Sequence, residues 1–423
     1  MSRKADLRDV KRRTAEAQLS ALPMPRDESG WARDVRAKAR ARLLDVGAPA
    51  RRDEYWKYTD PTALTAPFAP APEGGGESRP RDPFAGVKAP LACFAGGRLR
   101  VDGSDPLGRP GLAVSPLADT LAQDISIAAQ LFGVLETRGQ EKVGRPLAIL
   151  NTAAAGEGLT MQATGDASIR LAYGETASMV RHLVRVESGA TLTILESGAA
   201  TNAVIEVDLA DGACLHHVRV QASPAAPCAT HLFARLGADS EFKTFTLTSD
   251  GALTRNEIVI ELAGDNASGH VAGAVLVQDD SHVDNTVFVT HGALDGESRQ
   301  VFKNVLAGQA KSIFQGKIFV REGAQKTDGY QISQAVLLND GPQFSAKPEL
   351  EIYADDVACS HGSTTGALDP TALFYLRTRG VPKADAEAML IAAFTDEAIA
   401  EIADPALAEI VRGEVARWMA SRA

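Results

Sequence analysis

From about residue 140 to residue 355 the chain is one short apolar-alternating segment after another, with no long crossover between them. Val180–Val186, Thr191–Leu195, Val204–Leu209, Leu215–Val220, Phe242–Thr248 and Glu257–Leu262 are each rich in Val, Ile, Leu and Thr. β-Branched residues at period two are the signature of strands with one face buried. The breaks between them are of one kind: Gly189-Ala190, Gly198-Ala199, Gly212-Ala213, Gly237-Ala238, Gly251-Ala252, Gly273-Ala274, Gly292-Ala293 and Gly323-Ala324. No helical period is read in this stretch. Many short strands without crossovers leave a sandwich, a barrel or a solenoid. The monotony of the repeat favours a parallel solenoid, in which each coil buries its inner face on the next; periodicity alone leaves a sandwich equally open.

Helical patterning flanks this region. The first ~60 residues read as helix, with Trp31, Val35, Leu43 and Val46 close to one face and Arg and Lys on the others. The aromatic run Tyr55-Trp56-Lys57-Tyr58 is expected to dock this domain onto something, whether the rest of the chain or another surface being left open, and residues 66–90, rich in Pro and Gly, read as a linker or loose loop. Near the other end, Asp369-Pro370 and Asp404-Pro405 each place a capping residue before a proline at the first helical position. Leu407, Ile410, Val411, Val415 and Trp418 form one apolar stripe, and Met389, Leu390, Ala393 and Phe394 another. So small a helical unit must lean on the strands or on a partner. The expected division is a helical domain with its linker over 1–90, a strand-built core over 91–365, and a helical domain over 366–423.

Charge narrows the function. Residues 1–60 hold 15 Lys/Arg against 10 Asp/Glu; the remainder holds 29 against 44, and the whole carries −10. An acidic main body argues against nucleic acid as the principal ligand. No apolar run reaches the ~18–20 residues of a membrane helix, and no apolar segment follows the first basic residues as in a secretory signal. Cys93, Cys214, Cys228 and Cys359 are far apart and form no C-x-x-C pair. Reduced thiols in a cytoplasmic protein are therefore expected, with Cys214 and Cys228 as small core residues.

No P-loop is present, since Gly316-Lys317 lacks both the upstream glycine and the following Ser/Thr. There is no H-E-x-x-H, no zinc-ribbon pattern and no G-x-S-x-G. The one constellation with metal-like chemistry is Cys359-Ser360-His361. On a strand, residues i and i+2 point to the same face, ~6.5–7 Å apart at Cα. Thiolate and imidazole suit iron, zinc or a cluster. Two donors make only half a site, and a buried Cys beside a hydrogen-bonded His has the same spacing. His216 and His217 point to opposite faces of a strand; they and His270, His282 and His291 read as structural or exposed. Asp355-Asp356 reads as a turn or edge feature.

The run Lys347-Pro348-Glu349-Leu350-Glu351-Ile352-Tyr353-Ala354-Asp355-Asp356-Val357-Ala358-Cys359-Ser360-His361-Gly362 strongly resembles the signature of the SufD family. Leu373-Phe374-Tyr375-Leu376-Arg377-Thr378-Arg379-Gly380 continues it. Upstream, Ser298-Arg299-Gln300, Phe314-Gln315-Gly316-Lys317 and Gln325-Lys326-Thr327-Asp328-Gly329 match in order, and Glu54-Tyr55-Trp56-Lys57-Tyr58-Thr59 resembles the family's N-terminal element. The resemblance implies a right-handed parallel β-helix between helical N- and C-terminal domains. It implies a non-catalytic scaffold of the SUF iron–sulfur cluster assembly complex. Such a scaffold pairs with a SufB-like subunit through the β-helix, and its C-terminal helices dock a SufC-like ATPase, which would account for the missing P-loop. A homodimer in isolation is also compatible. Cys359 and His361 would then hold iron or a transient, nascent cluster at the subunit interface, Cys359 as a thiolate near neutral pH. The rivals are a polysaccharide-cleaving enzyme on a β-helix, for which no carboxylate cluster is found, and an assembly protein without a metal role.

Overall fold

The computed structural model describes residues 2–422 except 24, 26, 68–80, 96, 101–102, 139–142, 175–178 and 223–225, so most of the stretch read as a linker lies outside the described residues. Helices α1 (Ser2–Ala21) and α2 (Gly30–Val46) and the single turn α3 (Thr62–Thr65) precede β1 (Leu91–Ala95), β2 (Arg98–Leu99) and β3 (Leu112–Pro116). After α4 (Leu117–Leu121) and α5 (Pro146–Ala154) come β4 (Glu157–Ala163), β5 (Ala167–Tyr173), β6 (Met179–Val186), β7 (Thr191–Ser197), β8 (Asn202–Leu209) and β9 (Cys214–Ala222). Then follow β10 (Cys228–Leu236), β11 (Glu241–Ser249), β12 (Thr254–Leu262), β13 (Ser268–Val277) and β14 (His282–His291). The last strands are β15 (Glu297–Leu306), β16 (Lys311–Val320), β17 (Asp328–Leu337), β18 (Gln343–Ile352) and β19 (Ala358–Gly366). Helices α6 (Pro370–Thr378), α7 (Lys383–Ile399) and α8 (Pro405–Ala420) close the chain. Helix α5 lies where no helical period was read: all of its residues are buried, so it lacks the polar face that reveals an amphipathic helix.

Each strand from β4 onward pairs in parallel with the strand two places along. The even strands make one sheet and the odd strands the other, which is a parallel β-solenoid of about eight turns and not a sandwich. Alternate residues point into the lumen, and equivalent ones stack from coil to coil, as in the row Ile205, Leu232, Ile258, Val287. The coils grow along the axis: the register advances 23 residues from Ile194 to His217 and 31 from Val301 to Ile332.

One corner of successive coils is built on residues at positive φ: Asp239 (53°), Asn266 (57°), Asp295 (53°) and Lys326 (58°). Each donates its backbone N–H to the next coil, to Asp265, Leu294, Gln325 and Asp356 in turn, at 2.5–3.0 Å. Asp and Asn tolerate this left-handed geometry better than other residues with a Cβ. Gly273-Ala274, read as a turn, lies inside β13.

The outer faces are covered by the two ends of the chain. Phe233, Val259 and Phe288 on the even sheet pack under the N-terminal residues, with Tyr55 edge-on to Phe288 at 4.8 Å and the Arg255 guanidinium over Trp56 at 4.2 Å. Thr59 donates to Asp284 at 2.6 Å, so the aromatic run does dock the domain. Helix α2 buries Ala32, Arg36, Ala39 and Leu43; Val46 is exposed. Arg36 belongs to the buried face because Glu28 at 2.6 Å and the carbonyls of Thr152 and Ala155 neutralise and saturate it. On the odd sheet, Val218, Phe245, Ala272 and Val301 meet Leu407, Val411, Val415 and Trp418 of α8 and Ile391 and Ile399 of α7. Each large apolar side chain so covered contributes roughly 1.5–3 kcal/mol. Met389 and Ala393, expected in an apolar stripe of α7, stand on its exposed side.

Candidate functional site

A solenoid has two ends, and the one formed last is open. Strands β18 and β19 each have a neighbour on one side only, β16 and β17 respectively. Their residues are half-buried or exposed, whereas the corresponding residues one coil back are largely buried. Two long edges therefore present unpaired N–H and C=O groups, which in a native protein ask for a partner strand or a cover. Pro348 on β18 fits such an edge position.

Cys359 and His361 both lie on β19, in register with Gly329 and Gln331 of β17. These β17 positions face the lumen, so Cys359 and His361 share the lumenal face at its lip. Cys359 is half-buried against Ile318, Val320 and Leu350. Gly329 makes room for it: a Cβ there would stand 3.2 Å from the Cys359 Sγ and 3.3 Å from Ile318. His361 is exposed. Burial, followed by the nearby Asp328 carboxylate, pushes the Cys359 thiol up from its ordinary value, with the Gly329 amide opposing. Its surroundings in the single chain thus favour the thiol over the thiolate. A metal ion or a partner's cationic group would have to displace its proton.

Behind the lip the lumen is polar in a way sequence reading missed. His361 continues a lumenal row through Gln331 and Gln300. Gln300, Gln331 and Ser333 are at most 1% exposed, yet neither amide nor the Ser333 hydroxyl finds a hydrogen-bond partner among the described residues. Gly316 leaves room for these amides, since a Cβ there would fall 1.8 Å from the Gln331 Nε2 and 2.9 Å from the Gln300 Oε1. Buried polar groups are ordinarily paired, so unpaired amides in the row that ends at His361 leave the lumenal chamber behind the lip polar. The signal was available: Ser298–Gln300, Phe314–Lys317 and Gln325–Gly329 all converge on this end. Only their coil register, which the sequence does not display, places them there.

Nearer the other end of the lumen a buried charged cluster is paired. Glu196 accepts from Tyr173 at 2.6 Å, from His217 at 2.7 Å and from Arg219 at 2.8 Å. The Arg219 guanidinium and the His217 bond hold its carboxyl well below the ordinary range despite burial. His216 and His217 do point to opposite faces of β9, His217 buried and His216 on the outer face. Cys228 is a buried core residue, but Cys214 is not: it is half-exposed on the outer face of β9, with Sγ 3.2 Å from the His216 Nε2. Asp355 and Asp356 form an exposed bend between β18 and β19. Among the described residues no helix is long and apolar enough to cross a membrane.

Comparison with known proteins agrees with this architecture. The family described as "SUF system FeS cluster assembly, SufBD core domain" matches residues 169–394, more than half of the chain. The iron-sulfur cluster assembly protein SufD of Escherichia coli is 27% identical over 391 residues, covering 88% of this chain and 90% of its own length. An iron-sulfur cluster assembly SufBD family protein of Mycobacterium leprae is 25% identical over 86% of this chain and 90% of its own. SufD of Bacillus subtilis is 28% identical over 54% of each. The chain thus belongs to the SufBD core family of the SUF iron–sulfur cluster assembly system.

Proposed function

We propose that this chain is a non-catalytic scaffold subunit of a cytoplasmic SUF complex. Its open end pairs with a SufB-like subunit, and Cys359 and His361 are presented to iron or a nascent cluster at that junction. The observation that carries the reading is the unfinished terminal coil: two unpaired strand edges flank a lip bearing one thiol and one imidazole. Two donors do not complete a cluster site, which takes four protein ligands. Among the described residues, the Cys/His/Asp/Glu group of three or more within ligand distance is Cys214, His216 and Glu241, not this pair. The missing donors are assigned to the partner, whose strands would also satisfy the edges; in its absence a second copy of the chain could use the same edges. The cluster is cargo, held transiently. The unpaired lumenal amides give a polar seat behind it.

A second surface supports the docking of a SufC-like ATPase. Helices α7 and α8 line an open cavity of about 1000 Å³, with Leu368, Met389, Ile391, Val415 and Met419 in its walls. Phe374 and Tyr375 on α6 are 69% and 55% exposed. Met389, in the groove wall, is also exposed, and exposed large apolar groups mark interaction faces; the ATPase supplies the nucleotide chemistry for which this chain has no motif.

The test is co-expression with SufB-like and SufC-like partners and oxygen-free purification, comparing wild type with Cys359→Ala/His361→Ala. The expected result is an unchanged complex with most of the visible cluster absorbance lost. Full absorbance in the double variant would reduce the pair to a structural role, and failure of the wild type to form any complex would overturn the reading.

A further inference from the structure

The outer face of the odd sheet carries a second donor cluster, far along the solenoid from the lip. Cys214 and His216 alternate on β9, and Glu241 stands directly across from Cys214 on β11. The His216 Nε2 lies 3.2 Å from the Cys214 Sγ and 3.2 Å from the Glu241 Oε1; Sγ and Oε1 are 3.8 Å apart. One thiol, one imidazole nitrogen and one carboxylate oxygen therefore form a near-equilateral triangle, at the start of two paired strands. Hydrogen bonds can be drawn within it, from the Cys214 S–H and the His216 Nε2–H to the Glu241 carboxylate. All three side chains nevertheless offer a ligand atom within 4.8 Å of one another.

A metal ion satisfies all three at once. With zinc bonds of about 2.3 Å to sulfur and about 2.0–2.1 Å to nitrogen and oxygen, tetrahedral ligand atoms sit about 3.3–3.6 Å apart. The observed 3.2, 3.2 and 3.8 Å bracket those edges, so binding needs only shifts of a few tenths of an ångström. The donor set of soft thiolate, borderline imidazole and hard carboxylate suits a divalent transition metal better than magnesium or calcium, which take oxygen. The His216 and Glu241 side chains are 24% and 41% exposed, so solvent can reach a fourth position. Among the described residues the opposing cation is Lys243, whose Nζ lies 3.3 Å from the Glu241 Oε1; it is partly exposed on a flexible stem.

We propose that Cys214, His216 and Glu241 form a three-ligand site for a divalent transition-metal cation of the zinc class, with an exchangeable fourth position. On binding, the Cys214 S–H bond breaks, the sulfur–metal bond forms, and the proton passes to solvent. The site is complete within one chain and does not depend on the reading of the lip.

The experiment is a cobalt(II) titration of the reduced full chain without oxygen, followed by competition with zinc. One equivalent is expected to produce a thiolate-to-cobalt charge-transfer band and the intense visible bands of tetrahedral cobalt, both erased by zinc. Cys214→Ser, nearly isosteric, should abolish the charge-transfer band and weaken binding by more than about 100-fold, beyond what loss of an outer-shell partner costs. Lys243→Met, which spares every ligand, should tighten binding. Cys359→Ala/His361→Ala should leave the spectrum unchanged, which separates this site from the lip. A wild-type chain without the band, or a band that persists in Cys214→Ser, would overturn the proposal.

Discussion

The two ends of one lumen solve the same problem differently. Near the narrow end, Tyr173, Glu196, His217 and Arg219 bring charge into the solenoid, and every one of them is answered by a neighbour. His182 extends the network, its Nδ1 accepting from the Leu159 amide at 3.2 Å and its Nε2 donating to the Tyr173 hydroxyl at 3.0 Å. Near the wide end, Gln300, Gln331 and Ser333 are as deeply buried but unanswered, and the coil beyond them is unfinished. Polarity that is internally satisfied holds a structure together; polarity left unsatisfied destabilises it until something arrives. The contrast assigns the first set to the fold and the second to function.

The largest expected effect breaks the narrow end. Glu196→Gln keeps the shape but removes the charge that answers Arg219 and His217, both almost fully buried. Removing one partner of a buried pair costs about 3–5 kcal/mol. The chemical-denaturation midpoint should fall accordingly, and a loss below about 1 kcal/mol would show that the network contributes little.

Acid should act next, through histidines at both ends. Burial lowers His182 to about 4 and His291, on the lumenal side of β14, to about 4. The unfolded chain titrates them near the ordinary value, about 6.5. Between those values the unfolded state binds more protons, so stability is full above about pH 6.5 and declines as the pH falls towards about 4. At pH 5 each contributes a loss of up to about 2 kcal/mol. Burial lowers His231 to about 4 as well, so unfolding midpoints at pH 7 and pH 5 measure the three together, and His291→Gln should shrink the difference. A difference that His291→Gln leaves intact would remove His291 from the account.

Much of this contrast was hidden from the sequence, for reasons that particular residues make plain. Strand texture was legible because Val, Ile and Thr alternate, and the caps Asp369 and Asp404 announced their helices. The coil period was not, because coils lengthen from 23 to 31 residues and the left-handed corner residue changes along the axis, from Gly189 and Gly212 of the Gly-Ala pairs to Asp239, Asn266, Asp295 and Lys326. Without that register Gln300, Gln331 and His361 are three unrelated positions, and Glu241 is no neighbour of Cys214. Local spacing could find Cys359 with His361, two residues apart on one strand. It could not find a partner one coil away.

The smallest expected effect on stability is the one that most sharpens the comparison. Gln331→Leu replaces a buried amide without protein partners by an apolar chain of similar volume. No hydrogen bond is lost and a desolvated polar group is removed, so stability should stay within about 1 kcal/mol of wild type or rise slightly. The same change in Glu196 would be severe, although both residues point into one lumen. In the co-purified complex Gln331→Leu should lower the yield of cluster while leaving the subunits together, because it makes the chamber behind Cys359 and His361 apolar. A stability loss of about 3 kcal/mol would mean that the amide is paired after all and that both ends of the lumen are built alike. Unchanged stability with unchanged cluster yield would keep the structural half of the contrast and detach the chamber from the chemistry at the lip.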